Sequence, residues 1–377
     1  MKIVIAPDSY KGSLTSREVV TAIFSGCQRV APDAEYVLVP MADGGEGTVE
    51  SLVTATSGSL KTAQVTNPIG EETTATYGIL GDKKTAVIEM AAASGVQYVD
   101  RYERNPMHTT TYGTGELIKA ALDQGINKII IGLGGSATND GGAGMAQALG
   151  IHFLDANNQE LGPGGAELSK LRRIDMRDMD PRIKSTQFII ASDVKNPLTG
   201  KNGASVVFGP QKGATPGMVH ELDRALVNYS KVIRQTIHRR VDHIPGSGAA
   251  GGLGAGMLAF LNAKIKPGIN IVLEYSDFRD KVKYADLVFT GEGKVDFQTK
   301  LGKTPFGVAK AAKEVSPNCK VIAIAGTVGK GSKELTDDKI FDALFGTVAG
   351  VKPLQIALRD AKVDIARTVE NVMRLVR

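Results

Sequence analysis

The chain contains no tryptophan and few aromatic residues, which together make up 5% of its 377 residues. Proteins that bind nucleic acids usually present stacking aromatics or a stripe of basic residues. The formal net charge is +5, but the basic residues are scattered along the chain. The composition therefore argues against a nucleic-acid partner and favours small anionic ligands.

Cysteine and long apolar runs are also scarce. Cys27 and Cys319 are far apart and form no CxxC motif, which favours a reducing compartment over a disulfide framework. No apolar run approaches the roughly 20 residues that span a bilayer, and the run after Met1 is too short for a signal peptide. The five histidines show no metal-ligand spacing. We therefore expect a cytoplasmic protein without a membrane partner.

Glycine, by contrast, is abundant, with 44 residues among 377 against a usual share of about 7%. The glycines follow apolar runs and show no period of three. This pattern excludes collagen and predicts tight loops at the ends of strands. The length of the chain favours two domains.

The order of apolar segments predicts an α/β protein. Short apolar runs typical of buried strands alternate with helical patterns near both ends of the chain, which favours a parallel sheet. The middle contains hairpin-like strands around a turn at 67–70. We therefore predict a Rossmann-like parallel-sheet domain built from residues 1–64 and 283–377, and an inserted α/β domain with a mixed sheet over residues 65–282.

The loop from Gly132 to Gly144 is the most informative motif. It follows an apolar strand and leads into a helix, an arrangement that presents backbone N–H groups to an anion. Ser136, Thr138 and Asn139 lie inside the turn. The loop is suited to a phosphate, a metal ion or a small hydroxy acid, and we predict that these three side chains bind substrate.

Polar residues also follow the first two predicted strands. Asp8 and Lys11 come after the first, where ligands bind in open α/β sheets. Asp43 and Glu46 come after the second, separated by glycines, and this pair suits magnesium or a substrate hydroxyl. The alternatives are a solvated turn for the first pair and an acidic helix N-terminus for the second.

Further candidates lie later in the chain. Asp193 follows a predicted strand and is a candidate general base, with Asp8 and Asp296 as rivals. Lys212 follows a run at 205–208 that we also interpret as a strand, and it is a candidate ligand of phosphate or substrate. Ordinary turn chemistry explains Asp193 and Lys212 equally well.

A glycine-rich segment formally matches the dinucleotide fingerprint through Gly246, Gly248 and Gly251. We interpret it, together with Gly252, as a loop that approaches the phosphates of a nucleotide, with close packing through small residues as the alternative. Glu274 is placed at the end of a strand about 20 residues on, as the fingerprint requires. Lys303 belongs to the tail of a Walker A motif, but Phe297 replaces its first glycine, so no P-loop is present.

Taken together, these segments resemble the bacterial glycerate kinase family of type 1, the glycerate 2-kinases. The resemblance covers nearly the whole chain and weakens over about the last thirty residues. The motifs that carry it are residues 5–11, 42–48, 89–95, 113–117, 132–144, 208–214 and 290–293.

The resemblance implies the two-domain fold of that family and the ATP- and Mg²⁺-dependent phosphorylation of D-glycerate to 2-phospho-D-glycerate. We predict an active site in the cleft between the domains. Asp193, Asp8, Lys11 and Asp296 would be catalytic, and Asp43 and Lys212 would bind substrate with the Gly132–Gly144 loop.

The remaining assignments concern the cofactors. The glycine segment at 246–252 and Lys303 would bind ATP, and Asp43 and Glu46 would bind the metal. Phosphorylation at C3, a nicotinamide oxidoreductase and a non-catalytic metabolite sensor stay open as alternatives. A homo-oligomer is compatible with the sequence.

Overall fold

The structure is a computed structural model that describes residues 1–376, without the side chain of Leu301. Two sheets and a separate hairpin account for its strands. In chain order the strands are β1 (Lys2–Ile5), β2 (Glu35–Leu38), β3 (Ser59–Thr66), β4 (Glu72–Ile79), β5 (Thr85–Glu89), β6 (Lys128–Gly132), β7 (His152–Leu154), β8 (Arg173–Asp175), β9 (Gln187–Ala191), β10 (Lys264–Lys266), β11 (Leu287–Val295), β12 (Lys320–Val328) and β13 (Ala343–Gly346).

Helices connect most of these strands, as the alternating pattern predicts. In chain order they are α1 (Ser16–Gln28), α2 (Thr48–Ala55), α3 (Ala91–Ser94), α4 (Tyr112–Asp123), α5 (Ala143–Ala148), α6 (Ala204–Phe208), α7 (Pro216–Ile237), α8 (Leu253–Phe260), α9 (Gly268–Tyr275), α10 (Phe278–Lys281), α11 (Thr304–Val315), α12 (Lys333–Asp337) and α13 (Leu354–Val376). Short 3₁₀ helices cover Val96–Tyr98, Gly165–Lys170, Pro181–Ser185, Pro210–Lys212, Ala249–Gly252 and Phe297–Leu301.

The chain divides into two compact units. The first contains residues 1–43, 50–56 and the chain from Pro267 onward, and the second contains residues 44–49 and 57–266. These borders differ from the expected ones near 64 and 282. The reason at the first border is that β3 pairs with β4 along its whole length. At the second, Ile269 of α9 packs directly against Gly307 of α11, which ties α9 to the first unit.

The first unit is built on a five-stranded sheet in the order β13-β12-β11-β1-β2. All neighbouring strands are parallel, which confirms the predicted parallel α/β architecture. Ile3, Ile5 and Phe289 belong to its core. Thr15 and Glu18 form a capping box at the start of α1, as their spacing in the sequence predicts.

The second unit contains a six-stranded mixed sheet in the order β10-β9-β6-β5-β4-β3. Strands β3, β4 and β5 are antiparallel, whereas β5, β6, β9 and β10 run parallel. This confirms the predicted hairpin and the mixed strand direction. Strands β7 and β8 form a separate antiparallel pair.

Two local predictions are wrong. Residues 205–208 belong to helix α6, because a short apolar run does not distinguish a buried strand from a helix and Gly209 N closes a helical turn onto Ser205 O. Glu274 lies in helix α9 rather than at the end of a strand. Strand β11 continues through the glycine-containing segment from Gly291 to Val295.

Candidate active site

A cavity of about 330 Å³ lies at the carboxyl ends of the first unit's parallel strands. Ligands bind at this edge in open α/β sheets. Residues that follow β1, β2 and β13 line the cavity together with the last residues of β11 and β12. Its charged lining consists of Asp8, Lys11, Asp43, Glu292, Lys294 and Lys303.

Asp8 is the most buried carboxylate of this cavity, with 8% of its surface exposed. Its Oδ1 accepts a hydrogen bond from Ser9 N at 2.6 Å, and its Oδ2 accepts one from Thr304 Oγ1 at 2.6 Å. Burial, reinforced by the negative charge of Asp43, raises the pKa of Asp8 to about 7. The side chain is therefore fixed in place and can exchange a proton near neutral pH.

Glu292 joins two further elements of the first unit. Its Oε1 accepts a hydrogen bond from Thr299 Oγ1 at 2.7 Å, and its Oε2 lies 3.2 Å from Lys303 Nζ. Burial raises the pKa of Glu292. Lys303 immediately precedes α11, so the ion pair holds a cation at the start of that helix. Lys11, in contrast, is exposed.

Asp296 has a local structural role. Its carboxylate accepts a hydrogen bond from Gln298 N at 3.0 Å and lies 3.1 Å from Lys294 Nζ. It thereby caps the 3₁₀ helix that follows. Lys294 is among the residues that line the first unit's cavity and Asp296 is not.

A second cavity, of about 380 Å³, lies within the second unit. Gly134, Gly135 and Ser136 line it together with the cations Arg104 and Lys212. Backbone amides after a strand and nearby cations are features of an anion site. Asp193 follows β9 and is exposed; its neighbour Val194 lines this cavity and Asp193 itself does not.

Lys212 is almost completely buried in the second unit, with 2% exposed. Its Nζ donates a hydrogen bond to Thr138 O at 2.6 Å. Burial lowers the pKa of Lys212 to about 7, although the nearby carboxylate of Asp140 acts in the opposite direction. The amine is therefore poised between its charged and neutral forms.

Arg104 is a residue that the sequence did not single out. Its Nε is buried and has no hydrogen-bond partner within the described chain, while its Nη1 lies 3.5 Å from Gln211 O. Neither a glycine turn nor a strand end marks its position in the sequence. Only the fold brings this guanidinium beside Lys212.

The interior of the Gly132–Gly144 loop is packed rather than open. Thr138, Asn139 and Asp140 are all buried. Asp140 accepts hydrogen bonds from Thr111 N and Oγ1, both at 2.8 Å, and Asn139 Nδ2 donates to Ser205 Oγ at 2.9 Å. Of the three predicted substrate ligands in this loop, only Ser136 lines the cavity.

The glycine segment at 246–252 packs against neighbouring backbone. A Cβ at Gly248 would lie 2.2 Å from Pro197 O, and one at Gly251 would lie 2.0 Å from Thr138 O. Gly246 and Gly252 would meet Ile265 and Leu198 side chains at less than 3 Å. An added side chain therefore has no room at Gly248, and Gly248→Val should disturb the fold.

The dinucleotide fingerprint also lacks its structural context. A loop of turns precedes the glycine segment, whereas the fingerprint needs a strand there. Its expected acidic partner, Glu274, lies in α9 of the other unit.

The expected metal ligands Asp43 and Glu46 belong to different units. The charge of Asp43 raises the pKa of both Asp8 and Glu292, whereas Glu46 acts on Glu89. No cluster of three or more His, Cys, Asp or Glu side chains in residues 1–376 is arranged to hold a metal ion. Likewise, no helix in this part of the chain has the length and hydrophobicity to cross a membrane.

Comparison with known proteins decides the family. A model of the glycerate kinase family matches residues 3–377. The chain belongs to the glycerate kinase family. The glycerate kinase of Halalkalibacterium halodurans is 50% identical over 98% of this chain and 97% of its own length, and the glycerate 2-kinase of Escherichia coli K12 is 50% identical over 99% and 97%. A solved structure from Salmonella typhimurium LT2, named "putative glycerate kinase 2", has a TM-score of 0.88 and 48% identity, and covers 100% of this chain and 98% of its own.

Within this glycerate kinase fold, the predicted residues form two groups. Asp8, Lys11, Asp43 and Lys303 line one cavity in the first unit. Ser136 and Lys212 line another in the second. The roles assigned to all of these residues remain predictions.

Proposed function

We propose that this chain transfers the γ-phosphoryl group of ATP to the C2 hydroxyl of D-glycerate, and releases ADP and 2-phospho-D-glycerate in the cytoplasm. The observation that carries the proposal is the first unit's cavity, where a buried carboxylate, Asp8, lies with Lys11 and Lys303 in a chain of the glycerate kinase family. Phosphoryl transfer needs cations around the phosphates and a group that orients or deprotonates the acceptor.

Lys11 and Lys303 are the cations that we assign to the phosphates. Lys303 is held by Glu292 at 3.2 Å, so its position is fixed before the ligand arrives. A charge placed in advance stabilises the transition state without reorganisation. Lys11 is exposed and can move onto the outer phosphate.

Mg²⁺ fits the oxygen donors of this cavity, since it usually takes one or two carboxylates and completes its shell with phosphate oxygens and water. We assign it to Asp43, whose charge already acts on Asp8 and Glu292. When bound, the ion neutralises phosphate charge. The role of Glu46 as a second ligand stays a prediction.

We assign to Asp8 the role of accepting the proton of the glycerate hydroxyl. Thr304 and Ser9 fix its two oxygens, and a fixed carboxylate can accept a proton as the hydroxyl attacks. Asp296 is engaged as a helix cap and with Lys294. Asp193 remains the rival candidate in the second unit.

Lys212, Arg104 and Ser136 would hold the carboxylate of glycerate in the second unit's cavity. Arg104 presents a guanidinium whose Nε has no partner in the described chain, and guanidinium groups bind carboxylates through two parallel hydrogen bonds. That residues of both units contribute to one active site is part of this proposal.

Phosphorus NMR of a mixture of the protein, ATP, Mg²⁺ and D-glycerate tests the reaction, and enolase identifies the position. Direct consumption of the product by enolase supports phosphorylation at C2. A requirement for phosphoglycerate mutase would show phosphorylation at C3. Absence of any phosphoglycerate would refute the kinase proposal.

A further inference from the structure

The first unit's cavity has an apolar wall that phosphoryl chemistry does not require. The wall consists of Val348, after β13, and of Leu354, Ala357, Leu358 and Ala361 on the first turns of α13. The cations and carboxylates described above line the same cavity. A ligand that matches this surface therefore combines an apolar body with several negative charges.

Glycerate does not match this description, because it consists of a carboxylate and two hydroxyls on three carbons. A nucleoside triphosphate does: its base is flat and largely apolar on its faces, and its phosphates need cations. The cavity volume of about 330 Å³ lies within the range of small-molecule sites.

The wall is held in place by contacts with the sheet. Ser13 Oγ, in the loop after β1, donates a hydrogen bond to Leu358 O at 2.6 Å. Further along α13, Arg367 Nη2 donates to Thr347 O at 2.8 Å. Ala357 and Ala361 are four residues apart, so they lie on the same face of the helix. Their small side chains leave room for a flat ring.

We propose that the base of the nucleotide binds against Ala357, Leu358 and Ala361, with Leu354 and Val348 beside it. The nucleotide thus lies in the first unit and not at the glycine segment 246–252. The inference rests on the proposed function, because it takes ATP as the phosphate donor.

The test measures ADP binding by calorimetry in the absence of glycerate, with inorganic tripolyphosphate as a probe of the cationic part alone. Ala357→Phe fills the space next to the apolar wall, and Leu354→Asp adds a negative charge to it. Leu354 is 69% exposed, so the Leu354→Asp variant is expected to fold normally. Val363→Phe is the control, since Val363 is 70% exposed on the same helix and is not among the lining residues.

We expect Ala357→Phe and Leu354→Asp each to weaken ADP binding by about tenfold or more, which corresponds to a loss of about 1.4 kcal/mol or more of binding free energy. Tripolyphosphate binding should stay unchanged in Ala357→Phe, which adds no charge, and the KM for glycerate should stay unchanged in both variants. Val363→Phe should behave like the parent protein. Unchanged ADP affinity in Leu354→Asp would overturn the inference. Tight ADP binding that depends on Leu354, without phosphorylation of glycerate, would instead refute the proposed function and leave the base site standing.

Discussion

The two glycine-rich regions of this protein look alike in sequence and differ in what their polar atoms contact. In the first unit, Asp8 and Asp43 follow the carboxyl ends of strands and line a cavity together with Lys303, at the start of α11. In the second, the glycine segment at 246–252 and the interior of the Gly132–Gly144 loop press backbone against backbone, with Gly251 against Thr138. The first arrangement leaves charged groups around a space of ligand size. In the second, the glycines allow two loops of the same chain to pack closely together.

The comparison teaches that a glycine after a strand has two separate uses. It can remove a side chain so that a ligand approaches the backbone, or so that another segment of the same chain does. Only the neighbours decide between the two. The following predictions test the assignment of each region, from the largest expected effect to the smallest.

The largest effect is expected from Asp8→Asn. If Asp8 takes the proton of the acceptor, kcat should fall by about 10²–10⁴. The melting temperature should change little. The amide oxygen still accepts one hydrogen bond, and the substitution removes the repulsion between the carboxylates of Asp8 and Asp43. Steady-state kinetics and thermal unfolding of the same preparation measure both quantities.

Asp193→Asn and Asp296→Asn are the control variants for Asp8→Asn, because each removes one carboxylate in the same way. Asp296→Asn should mainly affect stability, since its carboxylate caps a 3₁₀ helix. If the large loss of kcat appears in Asp193→Asn and Asp8→Asn is nearly normal, the acceptor's proton goes to the second unit and the role given to Asp8 is wrong.

Much of the architecture can be predicted from the sequence, because strand and helix patterns report local burial. The parallel sheet, the mixed sheet and the capping box at Thr15 follow from spacing alone. The run at 205–208 does not, since three apolar residues after a serine suit a strand or a helix equally well, and a helical turn from Gly209 N to Ser205 O decides the outcome.

The candidate sites could be predicted only in part, because local sequence patterns do not report which distant segments pack together. Residues directly after strands, such as Asp8 and Asp43, reach the cavity because the sheet carries them there. Arg104 and the wall on α13 come from segments without a motif, and only tertiary packing brings them to their cavities. The packing role of Gly248 depends on Pro197, some fifty positions earlier in the chain, and no local pattern encodes that approach.

Gly251→Ala tests the packing role of the second region. Gly251 has φ +66° and a Cβ there would lie 2.0 Å from Thr138 O, so left-handed strain of about 1–2 kcal/mol adds to overpacking of about 1–3 kcal/mol. Gly125→Ala is the control in the same unit, because Gly125 has φ +76° and no atom of the described residues lies within 4 Å of the added Cβ. Urea unfolding should show the larger loss for Gly251→Ala. Equal losses would mean that the close approach has no energetic weight.

Lys212 should make stability depend on pH. In the folded chain its pKa is about 7, against an ordinary value of 10.5, so the unfolded chain binds one more proton between these pH values. The free energy of unfolding should therefore rise with pH in this window, by at most about 1.4 kcal/mol per pH unit. Urea unfolding at pH 7 and 9 measures the rise, and Lys212→Met should remove it.

The charges near Lys212 also predict how substrate binding depends on pH. Asp140 favours the protonated amine, and Arg104 lines the same cavity. If the charged amine binds glycerate, the KM for glycerate should rise as pH increases above 7, and Lys212→Met should show a high KM at every pH. A KM that is independent of pH in the parent protein would restrict Lys212 to a structural role.

The smallest effect is expected at His152, on the hairpin of β7 and β8. Its Nδ1 lies 3.0 Å from Glu160 Oε2 and its Nε2 lies 3.1 Å from Asp178 Oδ2, and hydrogen bonds to these carboxylates raise the pKa of His152. The stabilisation is therefore fully present below pH 6.5, the ordinary value, and is lost as pH rises through the raised pKa. Because 43% of the histidine side chain is exposed, water screens the pairs and the total should be only about 0.2–1 kcal/mol. His152→Gln should abolish this pH dependence without changing kcat, since His152 lines neither cavity. A change in kcat would show that the hairpin is coupled to catalysis, and would extend the comparison of the two glycine-rich regions to a third part of the molecule.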